Sequence, residues 1–335
     1  AHSKDVTIPL TLTGTATINT DYSTAFAASG VKTVAGGNDS GNALNQFNNS
    51  WGITSDSSQN IYVADRSNNR IIKWAPGASE GVSIISVTNP IGIDIDNSGN
   101  IYVGSNHDVK KYTPSGGSYS ETTVAGGNGS GNALNQLSNI RGITVDSFGN
   151  VYVADYSNHR VVKWVPEATE GVLVAGGNSN GSSFNQLNEP HDVAVDSSGN
   201  IYVADWSNSR VMKWAPGASE GVSIVGYAYY PIAIDLDSQE NIYVSHHYQH
   251  IVKKYTLSGG TYSDVETILG TQDNYGNTSS KLYYPNGIHV DSSGNVYVSD
   301  QSNYRIQKLQ VNPEITITAG ETTGTVTFTS LSDND

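Results

Sequence analysis

The stretch "GNIYVADWSNSRVMKWAPGASEGV", residues 199–222, decides the fold. Most of it stands twice more, as "QNIYVADRSNNRIIKWAPGASEGV" from Gln59 and "GNVYVADYSNHRVVKWVPEATEGV" from Gly149. Shorter forms begin at Asn100 ("NIYVGS"), Asn241 ("NIYVSH") and Asn295 ("NVYVSD"), which makes six copies. A phrase repeated in this way marks supersecondary units that must stack, because one unit alone cannot bury its apolar face.

Each copy reads as four short strands. Apolar residues alternate with period two in "NIYVAD" and in the runs before it: "GITSD", "GIDID", "GITVD", "DVAVD", "AIDLD" and "GIHVD". A turn such as Ser197-Ser198-Gly199-Asn200 joins the two runs as a tight hairpin. A third strand ("RVMKW") follows, then a Pro-Gly or Ser-Gly-Gly turn, then a fourth ("GVSIV"). No helical period is visible. The pattern predicts an all-β fold, a six-bladed β-propeller of four-stranded blades.

The copies fall in the order A-B-A-A-B-A. Blades one, three and four carry R-x-x-K-W-x-P and blade six a shortened "RIQKL", whereas blades two and five carry "VKKYTPSGGSYSETTV" and "VKKYTLSGGTYSDVETIL". Duplication of a three-blade unit accounts for that order. Blade six lacks its own fourth strand, and "VKTVAGG" (31–37) matches "TTVAGG" (122–127) and "VLVAGG" (172–177). The N-terminal strand is therefore expected to close the ring in Velcro fashion, Val31–Ala35 pairing around Arg305–Gln310 and leaving no open edge.

Composition limits what such a chain can do. A formal net charge of −14, with 17 Lys and Arg spread through the repeats, gives no basic patch for a nucleic acid or an anionic membrane. No apolar run approaches the ~18–20 residues of a membrane span. No signal-peptide pattern opens the chain, and the abrupt "AHSKDV" and "SDND" ends read as an excerpt of something longer. With no cysteine, disulfides, thiolate zinc sites and cysteine nucleophiles are excluded. An Asn-, Ser-, Thr- and Gly-rich acidic chain suits a bacterial extracellular or cell-surface protein.

The signature G-N-[IV]-Y-V-A-D-x-x-N-x-R-[IV], at Gly149–Val161 and Gly199–Val211 and in variants elsewhere, resembles the NHL repeat over residues 31–311. That resemblance implies an interaction platform; some such propellers bind RNA through a basic top surface, and a few relatives are lyases or lactonases with a metal in the central funnel. The ends resemble consecutive pieces of a Calx-beta domain, a small β-sandwich of bacterial surface proteins and sodium–calcium exchangers. The pieces are "DVTIPLTLTGTATINTDYS" (5–23) and "ITITAGETTGTVTFTSLSDND" (315–335). The expectation is a propeller (31–311) inserted in a loop of a partial sandwich built from residues 1–30 and 312–335. The same resemblance implies calcium, a hard cation wanting ~6–8 oxygen ligands, at Asp21, Asp333 and Asp335.

Candidate sites divide into uniform and divergent positions. Asp-x-x-Asn-x-Arg recurs in four blades (Asp65/Asn68/Arg70 through Asp300/Asn303/Arg305), so a structural hairpin role is expected. The Asp-Ser-Ser-Gly-Asn turns lack a calcium-loop ligand series, and Trp74, Trp164 and Trp214 read as packing. Leu44, Leu134 and Phe184 recur in the long loops and are expected to plug them onto the core. His246, His247 and His250 are expected to form a surface cluster rather than a zinc site.

Function is expected where blades diverge. The residues opening the innermost strands are Trp51, Ile91, Arg141, His191, Ile232 and Asn286, of which Trp51, Arg141, His191 and Asn286 form the candidate ligand ring. Three positions on come Thr54, Asp94, Thr144, Ala194, Asp235 and His289, with Asp94 and Asp235 expected to face each other across the axis. With no Ser or Cys nucleophile motif, no catalytic residue is assigned. The reading is a non-enzymatic, adhesin-type binding module taking a protein or glycan on its long-loop face. The alternatives are a funnel-metal lyase or lactonase using Asp94, Asp235, His191 and His289, and a ligand-free spacer.

Overall fold

A computed structural model describes residues 30–310. The Calx-beta-like segments, and with them Asp21, Asp333 and Asp335, lie outside the described residues.

Six four-stranded antiparallel sheets follow one another around an axis. Blade one shows the plan: an innermost strand Ser50–Ser55, then Ile61–Asp65, Arg70–Trp74 and an outer strand Val82–Ser86. In blade six the outer strand is Val31–Gly36, which pairs with Arg305–Leu309 in a register running from Val31 opposite Leu309 to Gly36 opposite Arg305. The ring is closed by its own first strand, as the "TVAGG" match predicts.

The inter-blade core explains the spacing of the apolar residues. Val63, Ile72, Val153, Val162, Val203 and Met212 are fully buried between sheets, with Trp74, Trp164 and Trp214 filling the outer part of the same layer. Burying side chains of this size stabilises the fold by roughly 1.5–3 kcal/mol each. The turn between the first two strands is built around one carboxylate. Asp56 accepts from the backbone of Ser58 and Asn60 on one oxygen, and from the Asn60 amide and Tyr62 hydroxyl on the other. Asp96, Asp146, Asp196, Asp237 and Asp291 repeat that Asn–Tyr clasp. Both oxygens are engaged, so these are turns and not calcium loops.

All turns of this type lie on one face. The opposite, top face carries the loops from each outer strand to the next innermost strand, together with the connections between second and third strands. In five blades that connection is a single 3-10 turn starting at Arg66, Tyr156, Trp206, His247 or Gln301.

Candidate functional site

Asp-x-x-Asn-x-Arg is what pins the long top loops. Asp65, fully buried, accepts the Arg70 Nε at 2.7 Å, the Asn68 amide at 2.8 Å and the Asn48 backbone N–H at 2.8 Å. Arg70 then donates to the loop carbonyls of Asn42, Ala43 and Gln46, all at 2.9 Å. Blades three, four and six repeat the arrangement through Arg160, Arg210 and Arg305. Only these four blades follow a long loop. Blades two and five follow short ones and carry Ser105 and His246 in place of the Asp, so motif and loop occur together.

Two expectations need correction, one about these loops and one about blade five. Leu44, Leu134 and Phe184 are exposed, and the plugs are the fully buried Phe47, Leu137, Leu187 and Leu282. The chain turns between Ala43 and Gln46 as it wraps the guanidinium, so the inward-facing position comes three residues later. Nor do the histidines of blade five form a surface cluster. His246 and His250 are buried, with the His246 ring between the Tyr229 carbonyl and the Tyr255 hydroxyl, and His250 Nδ1 accepts the Tyr284 N–H. Each imidazole serves a different partner.

The predicted ring of Trp51, Arg141, His191 and Asn286 does assemble around the mouth of the central channel, which holds a cavity of about 250 Å³. Trp51 crosses the mouth and stacks on His191, with centroids 6.3 Å apart and planes 15° off parallel. Arg141 lies over the Trp51 ring at 5.0 Å and over Tyr156 at 4.7 Å, and Arg66 lies over Trp51 at 5.2 Å. His191 also meets Trp206 at 4.3 Å and the edge of Tyr156. From Trp206 an aromatic arc continues through Tyr230, Tyr248 and His247 to Tyr284.

Sequence reasoning missed the 3-10 residues Arg66, Tyr156 and Trp206, and placed His247 in a surface cluster instead of on this rim. Their signal is plain in retrospect: they occupy the one freely varying position of A-D-x-S-N, or its equivalent in blade five. A further row opens each rim segment. Asn49, Asn89, Asn139, Glu189, Tyr230 and Tyr284 all adopt left-handed backbone, φ between 47° and 60°. Asn tolerates that region, whereas Glu and Tyr adopt it at a cost. Blades four to six therefore carry strained side chains on the rim where blades one to three carry Asn.

Electrostatics separates the rim from the layer below. Burial, together with the charges of Arg141 and His247, pulls His191 well below the usual imidazole range, so its ring is neutral at pH 7. Burial lowers Arg141, and the neighbouring Arg66 charge lowers it further, without discharging it. Among the described residues, four buried side-chain polar atoms have no hydrogen-bond partner: Arg141 Nε, His191 Nδ1, Asn286 Oδ1 and Gln307 Nε2. The first three stand on this rim.

Below it, Asp94 and Asp235 do sit on the predicted layer, within reach of each other's charge. Asp94 accepts the Ile95 N–H and, from the next blade, the Val145 N–H at 2.7 Å. Asp235 likewise takes the Leu236 and Val290 N–H groups, and its Oδ2 lies 3.2 Å from His289 Nδ1. Asp192, which the sequence reading missed, takes the Val193 and Ile234 N–H groups. These carboxylates staple neighbouring innermost strands together. The Asp192 carboxylate fills the space where a side chain at position 142 would begin, and only a glycine there leaves room for it. Burial pushes Asp192 up to about 8 and Asp94 up to about 6. Burial pulls His289 down, but the Asp235 hydrogen bond and charge outweigh it and hold its pKa above normal. The set Asp94, Asp235, His191 and His289 is split between two levels. Among the described residues no group of three or more His, Asp or Glu is placed to hold a metal ion.

Known proteins agree with this architecture. The NHL repeat model matches residues 47–74, 137–164, 187–214 and 282–309, the four blades that carry Asp-x-x-Asn-x-Arg. The protein is a six-bladed β-propeller containing NHL repeats. Comparison with curated proteins gives no match. Among solved structures, a protein of unknown function from Bacteroides thetaiotaomicron aligns with TM-score 0.66 and 18% identity over 84% of this chain and 75% of its own. An auxiliary nutrient binding protein from the same organism aligns with TM-score 0.61 and 14% identity, covering 83% and 75%. Virginiamycin B lyase from Staphylococcus aureus aligns with TM-score 0.55 and 14% identity, covering 84% and 98%. At such identities the likeness is one of fold. No helix of the described residues is long and apolar enough to cross a membrane.

Proposed function

We propose that this protein is a non-enzymatic binding module that takes a ligand on the top rim of its propeller, and that it works outside the cell as part of a larger surface protein. One observation carries the reading: three of the four unpartnered buried polar atoms belong to Arg141, His191 and Asn286, at equivalent positions of three blades. Leaving such an atom unmade costs about 1–3 kcal/mol, and a ligand that supplies the partner recovers it. The aromatic arc and the strained Glu189, Tyr230 and Tyr284 lie around the same mouth. A nutrient-binding protein among the structural neighbours is in keeping with this use of the fold. The channel carboxylates, engaged with backbone N–H groups, suit scaffold staples better than metal ligands.

A glycan and protein array tests the reading. The Trp51→Ala/Arg141→Ala variant should fold and lose the signal that the parent gives. A variant that binds like the parent would place the site elsewhere.

A further inference from the structure

The chain has six arginines, and their fates differ. Arg70, Arg160, Arg210 and Arg305 each meet a buried Asp at 2.6–2.8 Å. Arg66 and Arg141 form no ion pair with any carboxylate of the described residues. Both lie over the same indole, Trp51, at 5.2 and 5.0 Å. In a chain of net charge −14, two guanidiniums without an ion pair beside one ring at the mouth of the channel mark a place suited to an anion. Glu189, whose charge reaches Arg141, engages the Ser207 hydroxyl.

Resting on the rim as binding face, we propose that the ligand is an acidic glycan whose uronate-type carboxylate docks against Arg141 and Arg66 beside Trp51. The guanidinium fork matches a carboxylate in two parallel hydrogen bonds, and Arg141 Nε is a buried donor without a partner. An anion there also relieves the repulsion between the two arginines. The rings of Trp51, Trp206 and Tyr230 flank the mouth, and His191 Nδ1 and Asn286 Oδ1 lie buried there without partners, so a sugar that enters between these side chains meets apolar rings and unpaired polar atoms together. The channel cavity beneath the mouth, about 250 Å³, falls below the ~300–1,000 Å³ usual for ligand pockets and admits at most a single terminal ring past Trp51, Arg141, His191 and Asn286. Beneath the rim, Asp94, Asp192 and Asp235 line the channel. Asp192 holds its proton at pH 7, while the charge of Asp94 opposes the descent of a second carboxylate, so the acid group is held at the arginines.

Calorimetric titration with two probes tests this: a uronate-terminated oligosaccharide, and the same oligosaccharide with its carboxylate reduced to the alcohol. The acid should bind about tenfold or more tightly than the alcohol, an advantage that shrinks with added salt. Arg141→Gln should bring the two within about twofold, with its unfolding midpoint near that of the parent because Arg141 makes no ion pair in the fold. Equal binding of both sugars, lost in Trp206→Ala, would overturn the acidic assignment and keep the rim as the site. Binding that survives both Arg141→Gln and Trp206→Ala would overturn the rim reading too. Binding of neither sugar overturns the proposal.

Discussion

Trp51 of blade one stacks on His191 of blade four, 15° from parallel, although these blades stand on opposite sides of the axis. The indole therefore spans the channel mouth, and any ligand seated on the rim touches it. Trp74, Trp164 and Trp214 are buried among the blades, so Trp51 and Trp206 are the two tryptophans that the proposed ligand would meet. Ligand binding should change the intrinsic fluorescence of the parent. In Trp51→Phe/Trp206→Phe the response should vanish. A response that persists in that variant would mean that binding acts on the buried tryptophans.

The loop anchors and the rim arginines predict stability losses of very different size. Arg70→Ala strands a fully buried Asp65 and frees three loop carbonyls, and should cost about 3–5 kcal/mol. Arg66→Ala removes a half-buried side chain with no ion pair and should cost under ~1 kcal/mol. Urea denaturation of both variants compares them directly; equal losses would contradict the division into anchor and rim.

Ring closure can be tested covalently because the chain has no cysteine. Lys32 stands opposite Lys308 in the closing strand pair. Lys32→Cys/Lys308→Cys should form a disulfide on mild oxidation, and the oxidised protein should unfold at a higher denaturant concentration than the reduced one. A loop this long is worth about 4 kcal/mol or more in the chain-entropy model, less any strain. Failure to cross-link would argue against this register.

The channel carboxylates predict a pH dependence. Asp192, at about 8 in the fold, lies above the ~3.9 of an unfolded chain, so between those values the native state keeps a proton that the unfolded state has lost. Its contribution is full below about pH 4 and falls as pH rises through about 8. Asp192→Asn removes that titration, at a fixed cost for the exchanged acceptor. The melting temperature of the variant relative to the parent should climb from pH 5 to pH 9. His191, His246 and His247, lowered by burial, depress both proteins as pH falls below ~6.5 and cancel in the difference. A flat difference would mean that Asp192 titrates normally.

Much of this was legible in the sequence, for definite reasons. Strand alternation, turn residues and the six-fold phrase specify the blades, and the displaced "TVAGG" specifies the closure. The ring of Trp51, Arg141, His191 and Asn286 was found because uniform positions serve the scaffold and divergent ones escape that constraint. The same test applied one turn away would have found Arg66, Tyr156 and Trp206. Asp192 stands in the sequence where the other blades have Gly or Ala, but its role is set by the Ile234 N–H of the next blade, a partner that no local pattern names. Phe47 was hidden behind the more conspicuous Leu44, because the phase of the loop is set by Arg70 from another strand. Contacts that depend on a distant side chain leave no local period to read.

Hydrogen exchange with and without the uronate oligosaccharide tests the central claim most directly. Added protection is expected in peptides covering 47–52, 138–142, 187–192, 204–208 and 228–232, with the hairpins around Asp56, Asp146 and Asp237 on the opposite face unchanged. Protection confined to those bottom hairpins, or absent from the rim while the sugar is bound, would contradict it.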